Sequence, residues 1–182
     1  MTEKTIAHFC GPALAGIKPA NIVNFSKIGM PEAAEDIRAL KAELEKSGIC
    51  IEVLCECSRR VLVMVYRKEI LKRQIEKAEV RRLLHSFGYG ENTGTDECIE
   101  ILKSRMAEGE FPHEIGVFLG YPPHDVRGFI KHGGKNCLLS GEWKVYKNAE
   151  EAKALFSRYN ACRRTIVKKI EQGKTLAEIF CA

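Results

Sequence analysis

Apolar positions recur at helical spacing in several stretches of the chain. In PEAAEDIRALKAELEKSG, Pro31 to Gly48, the residues Ile37, Leu40 and Leu44 fall on one face. Pro31 suits a first helical turn, the acids Glu32, Glu35 and Asp36 sit near the positive end of the dipole, and Gly48 closes the element. Two strand-like runs follow. ICIEVLC (Ile49 to Cys55) and RVLVMVY (Arg60 to Tyr66) flank ECSR, which reads as a hairpin turn. The second run is apolar on both faces, the pattern of an inner strand. Helical spacing returns in RKEILKRQIEKAEVRRLLHSFG (Arg67 to Gly88) and in TDECIEILKSRMAEG (Thr95 to Gly109), the latter opened by Thr95 as N-cap. A short strand at EWKVY (Glu142 to Tyr146) precedes a long helix over Asn148 to Gln172, ended by Gly173. The pattern predicts an α+β fold, with a small, mainly antiparallel sheet and helices packed mostly on one face. No repeat or low-complexity linker divides the chain, so residues 1–182 are expected to form a single α+β domain.

Composition narrows the class. Hydrophobic residues at 45% and charged residues at 29% are globular values, and 182 residues suffice for a sizeable core. No apolar run approaches the ~18–20 residues of a membrane span, and MTEKTIAHFC is too polar for a secretory signal. The expectation is a cytoplasmic protein without a membrane partner. The net charge of +5 permits an anionic ligand or a nucleic acid and demands neither. The eight cysteines include no CxxC pair, so neither a zinc ribbon nor a thioredoxin motif is present, and reduced thiols are expected.

The least ordinary string is FPHEIGVFLGYPPHDVRGFI, Phe111 to Ile130, with three Pro, three Gly and two His. Pro112 can open a helix over His113 to Leu119, Gly120 can end it, Tyr121-Pro122-Pro123 forms a stiff corner, and Asp125 to Lys131 forms a second short helix. In outline this is a helix–turn–helix. A DNA reader would use His124, Arg127, Lys131 and His132 on the second helix, but Asp125 would then face phosphate and Gly128 weakens the helix. A compact structural corner, a ligand site and DNA reading therefore stay open for residues 112–132. Ile115, Phe118 and Leu119, and again Val126, Phe129 and Ile130, are spaced for burial. Gly116 and Gly128 mark expected close backbone contacts. His113 is the candidate base or ligand-binding group, with Glu114 its candidate partner and Tyr121 at the rim of a pocket. The sequence is HE without a second His at Val117, which excludes the zincin pattern.

CGPALAGIKPAN, Cys10 to Asn21, is rich in small residues. Cys10 reads either as a thiolate at a helix start or as a buried thiol in a packing segment. Lys18 could pair with an anion, although the spacing is not that of a phosphate loop. Tyr66 and Arg67 end a strand, a usual place for ligand-facing side chains. Cys55 and Cys57 would share a strand face. Arg163, Arg164, Lys168 and Lys169 make the last long helix basic, either as a solvated face or as a track for phosphates.

CGPALAGIKPANIV, VMVYR, FPHEIGVFLGYPPHDVRGFI and GEWKVYKN together resemble a domain-of-unknown-function family of small proteins from anaerobic, mainly clostridial-type bacteria. The resemblance spans almost the whole chain. It implies no named activity and a loose link to redox or iron metabolism. Where the family more often has Ala-Pro-Thr-Leu after its first Cys, this chain has Gly11, Pro12, Ala13 and Leu14.

The leading expectation is a protein that binds a small ligand, cofactor or metal in a pocket built from the Cys10–Lys18 segment, the end of the Val61–Tyr66 strand and the His113–Tyr121 corner. Its candidate ligand-binding residues are Cys10, Lys18, Tyr66, Arg67, His113, Glu114 and Tyr121. No cofactor, metal, reaction or oligomeric state is read from the sequence. The alternatives are a DNA-binding or regulatory protein using the helix pair and the basic C-terminal helix, and an interaction scaffold without a small-molecule site.

Overall fold

The computed structural model describes residues 1–107 and 111–181. The fold is α+β, with a three-stranded antiparallel sheet and a separate two-stranded one. The chain forms two compact units. The first comprises Met1–Leu71 and Ala161–Ala182, the second Lys72–Asn160.

The first unit is built on β1 (Ala20–Ser26), β2 (Ile49–Glu56) and β3 (Arg60–Arg67), in the order β1-β3-β2. β3 is the inner strand, as its two-faced apolar pattern predicts: Val61 through Tyr66 are all buried. Val61 and Val63 lie opposite Phe25 and Val23 of β1, and Val65 lies opposite Ile51 of β2. These form one core with two helices, α1 (Thr2–Leu14) and α2 (Ala33–Leu44), through Ile6, Cys10 and Leu14 of the first and Ile37, Leu40 and Leu44 of the second. Both helices thus pack on the same side of the sheet. Gly48 ends the helical segment with φ of 72° and lets the chain turn directly into β2. Neither α1 nor β1 was expected from the sequence. Pro12 lies inside the last turn of α1, where it masks the helical signal.

Two expectations from the sequence are corrected. A bulge between Val53 and Cys55 shifts the pairing of β2. Cys57 lies beyond the end of that strand, in the turn, so Cys55 and Cys57 do not form a same-face strand pair. The predicted helix over Arg67–Gly88 is two helices, α3 (Lys68–Ile75) and α4 (Ala78–His85). The buried positions explain the break. At about 100° per residue, an unbroken helix would place Val80 half a turn away from Leu71, and both are buried. Lys77 adopts an extended backbone (φ −60°, ψ 129°) and restarts the helix in a new phase.

The second unit contains α4, α5 (Thr95–Ala107), α6 (Ile115–Phe118), α7 (Pro123–His132) and a small hairpin of β4 (Leu139–Ser140) and β5 (Lys144–Val145). The long helix α8 (Ala149–Glu171) begins in it, and α9 (Leu176–Phe180) closes the chain in the first unit. The last two positions of the predicted 95–109 helix, 108 and 109, lie outside the described residues. The predicted strand over Glu142–Tyr146 is shorter than expected, and its partner β4 carried no strand pattern. α6 is a single turn and ends at Gly120, which has φ of 79°. α7 starts at Pro123, two residues earlier than predicted, because Pro122 and Pro123 fit the N-cap and first helical position. Ile115, Phe118, Leu119 and Val126 are buried as expected. Phe129 is only half-buried and Ile130 is exposed. The apolar stripe of α7 thus reaches the surface toward its end. Among the described residues, no helix is long and apolar enough to cross a membrane.

Candidate functional site

A cleft of about 290 Å³ opens in the second unit between the α6–α7 corner and the β4–β5 hairpin. Ile115, Gly116, Tyr121, Asp125, Val126 and Phe129 line the side of the helices, Trp143 and Gly141 that of the hairpin, and His113, Phe111, Ser140 and Lys144 complete the lining. Its aromatic side is built in layers. Trp143 stacks on Tyr121, with ring centroids 4.9 Å apart, and meets the edge of Phe156 from α8 at 4.6 Å. Gly141 makes that support possible, since a Cβ there would lie 2.3 Å from the Phe156 ring. On the opposite side the His113 ring meets Phe129 edge-on at 5.3 Å.

Asp125 fixes this geometry. It is 2% exposed. One carboxylate oxygen accepts from Trp143 Nε1 at 2.8 Å, and the other accepts from the backbone N–H groups of Tyr146 at 2.7 Å and Lys147 at 3.2 Å. A charge this deeply buried is tolerable because three donors face it. The result is a tie between α7 and the end of the hairpin that sets the plane of the indole. The Tyr121 hydroxyl donates to the Glu142 carbonyl at 3.1 Å and secures the corner to the same hairpin.

Of the residues singled out in the sequence, His113 and Tyr121 both line the cleft. Glu114 does not. It is fully buried, pairs with Arg105, and accepts from the Tyr89 hydroxyl at 3.3 Å. Burial, followed by the neighbouring Glu114 charge, pushes the Tyr89 phenol well above its usual range, so it remains a donor. His113 and Glu114 thus diverge as adjacent residues of a helical turn must, and they form no joint site. The other carboxylate oxygen of Glu114 has no hydrogen-bond partner among the described residues.

The four remaining candidates belong to the first unit. Cys10 lies inside α1, fully buried, and burial pushes its thiol up to about 12. It is a core thiol, and the thiolate alternative is corrected. Lys18 is 2% exposed and Tyr66 is also buried. Arg67 donates to the backbone carbonyls of Leu14 at 2.9 Å and Ser47 at 3.2 Å, closing the C-terminal end of α1. The Cys10–Lys18 segment and the end of β3 therefore do meet, but the guanidinium there is engaged by protein carbonyls. Of the basic residues of the DNA alternative, His124, Arg127, Lys131 and His132 on α7 and Arg164, Lys168 and Lys169 on α8 are exposed, and Arg163 is half-buried. His132 stacks on Tyr146 at 5.5 Å. Among the described residues, no group of three or more His, Cys, Asp or Glu is arranged to hold a metal ion.

A family model described as a protein of unknown function, DUF3793, matches residues 6–180. The chain belongs to the DUF3793 family. No curated protein and no solved structure matches it. For this DUF3793 chain the cleft is accordingly read from its own geometry. The sequence reading missed Asp125, Trp143 and Lys144. Asp125 resembled an ordinary acid in a first helical turn, and nothing local revealed that it points inward to a hairpin some twenty residues away. Trp143, the one tryptophan of the chain, was the available signal.

None of the eight cysteines of the DUF3793 chain is in a disulfide. Their environments predict an order of alkylation by iodoacetamide at neutral pH. Cys57 is exposed, and hydrogen bonds from the backbone N–H groups of Arg59 and Arg60 hold its thiol below the usual range. It should react before the buried Cys10 by at least two orders of magnitude, as thiolate fraction and access both favour it. Peptide mass mapping over time measures this order. Labelling of Cys10 at a comparable rate in folded protein would contradict its placement in the α1 core.

Proposed function

We propose that this DUF3793 protein binds a small, largely apolar ligand in the aromatic cleft, with His113 at its mouth. One observation carries the reading. The cleft is walled by apolar and aromatic groups, and its interior carboxylate is already satisfied by three protein donors. Concave apolar sites with few convergent polar groups are the usual form of small-molecule sites. No reaction is assigned to it.

Trp143 provides the assay, because the single tryptophan lines the cleft. The neutral probe 4-phenylbutan-1-ol should shift its emission saturably, with a dissociation constant on the order of 1 mM for so small a molecule. His113→Ala should weaken that binding about tenfold. The exposed ring makes only an edge contact with Phe129, so the substitution should cost less than ~0.5 kcal/mol of stability. If His113→Ala instead unfolds the protein while the wild type never responds to the probe, the corner is a structural element and the site reading is wrong.

A further inference from the structure

We propose that the ligand of this cleft is an organic acid, its apolar body held between the aromatic walls and its carboxylate placed at the mouth beside Lys144. The inference rests on the cleft being a ligand site, and adds the charge of what it takes. Inside the walls the polar groups are committed to the protein. The Asp125 carboxylate is held by three donors, the Trp143 indole N–H is given to Asp125, and the Tyr121 hydroxyl is given to the Glu142 carbonyl. The enclosed part of a ligand must therefore be apolar, since a polar group there would lose water without gaining a partner.

The lining also holds one cationic residue, Lys144. Its ammonium donates to Ser140 Oγ at 2.9 Å, a neutral partner that leaves the charge uncompensated. Lys144 has no ion pair with an acidic side chain among the described residues. The segment that contains the cleft is itself basic. Residues 111–147 carry Arg127, Lys131, Lys135, Lys144 and Lys147, four of them exposed and Lys144 half-buried. The acids of the same segment are Glu114, Asp125 and Glu142. Glu114 and Asp125 are buried and engaged by their own partners, and Glu142 is partly buried. A cation beside low-dielectric walls concentrates ligands of the opposite sign. A compact ammonium on a flexible stem suits a single carboxylate.

Three probes with one apolar body separate the two readings: 4-phenylbutyrate, 4-phenylbutan-1-ol and 4-phenylbutylamine, each titrated against Trp143 emission. At low salt the acid should bind about five- to tenfold more tightly than the alcohol, and the amine most weakly. The advantage of the acid should shrink at about 0.5 M sodium chloride, and Lys144→Gln should bring its affinity down to that of the alcohol. Equal binding of acid and alcohol in the wild type, or tightest binding of the amine, overturns the anion inference and leaves the cleft standing as a ligand site. An acid advantage that survives both high salt and Lys144→Gln overturns the role of Lys144. If none of the three perturbs Trp143, the cleft reading and the anion inference both fall.

Discussion

Asp125→Ala is expected to destabilise the protein by about 3 kcal/mol, since it leaves an indole N–H and two backbone N–H groups without their acceptor. The estimate is below the sum of three charged hydrogen bonds because the variant also relieves the desolvation of a buried carboxylate. In a chain of this size the loss corresponds to a fall in Tm of roughly 6–12 °C. Asp125→Asn should fall between the two. Its amide oxygen can still accept from Tyr146 and Lys147, while its NH2 group faces the Trp143 N–H and donor opposes donor. Thermal unfolding followed by tryptophan emission reads both quantities, because Trp143 sits on the broken tie. An Asp125→Ala protein as stable as the wild type would show that this carboxylate does not hold the hairpin to α7.

Gly128→Leu should cost about 3 kcal/mol, at the upper end of what overpacking does. A Cβ at residue 128 would lie 2.5 Å from Cγ and 2.9 Å from Cβ of Tyr146. Those atoms are the root of the tyrosine side chain, so rotating the ring does not clear them and α7 itself must shift. Helix propensity alone favours replacing this glycine by about 1 kcal/mol, which makes the sign of the result informative. Gly116→Ala is the comparison. Its Cβ would meet Val126 Cγ2 at 2.9 Å and Tyr121 Cδ2 at 3.0 Å, outer side-chain atoms where Gly128 faces a side-chain root. It should cost less than ~1 kcal/mol. Chemical denaturation measures both variants. A Gly128→Leu protein of wild-type stability or better would mean that α7 does not pack on Tyr146 as described.

These residues also show how far the sequence could be read. Spacing located α7, its buried Val126 and the close approach at Gly128, because helical period and glycine placement are local signals. It also identified β3 as the inner strand from its two apolar faces. It did not reveal α1, whose last turn carries Pro12, or the pairing of Leu139–Ser140 with Lys144–Val145, which is too short to carry a period. The candidate site divides in the same way. His113 and Tyr121 were legible because they sit on a stretch dense in Pro and Gly. The role of Asp125 was not, since it depends on contacts with Trp143, Tyr146 and Lys147 made across a long separation. Burial decided against Glu114 and Cys10, and a sequence gives no direct measure of where one acid or thiol in an ordinary helix will point.

The central claim is that this chain carries its ligand site in the cleft beside Trp143. The most direct measurement is a fragment screen read by amide and indole chemical shifts in 15N-labelled protein. Its one indole N–H signal belongs to Trp143. Binding fragments are predicted to move that signal together with the backbone amides of His113, Gly116 and Gly141. The contradictory result is a set of binders that leaves the indole unmoved and shifts residues around Lys18, Tyr66 and Arg67.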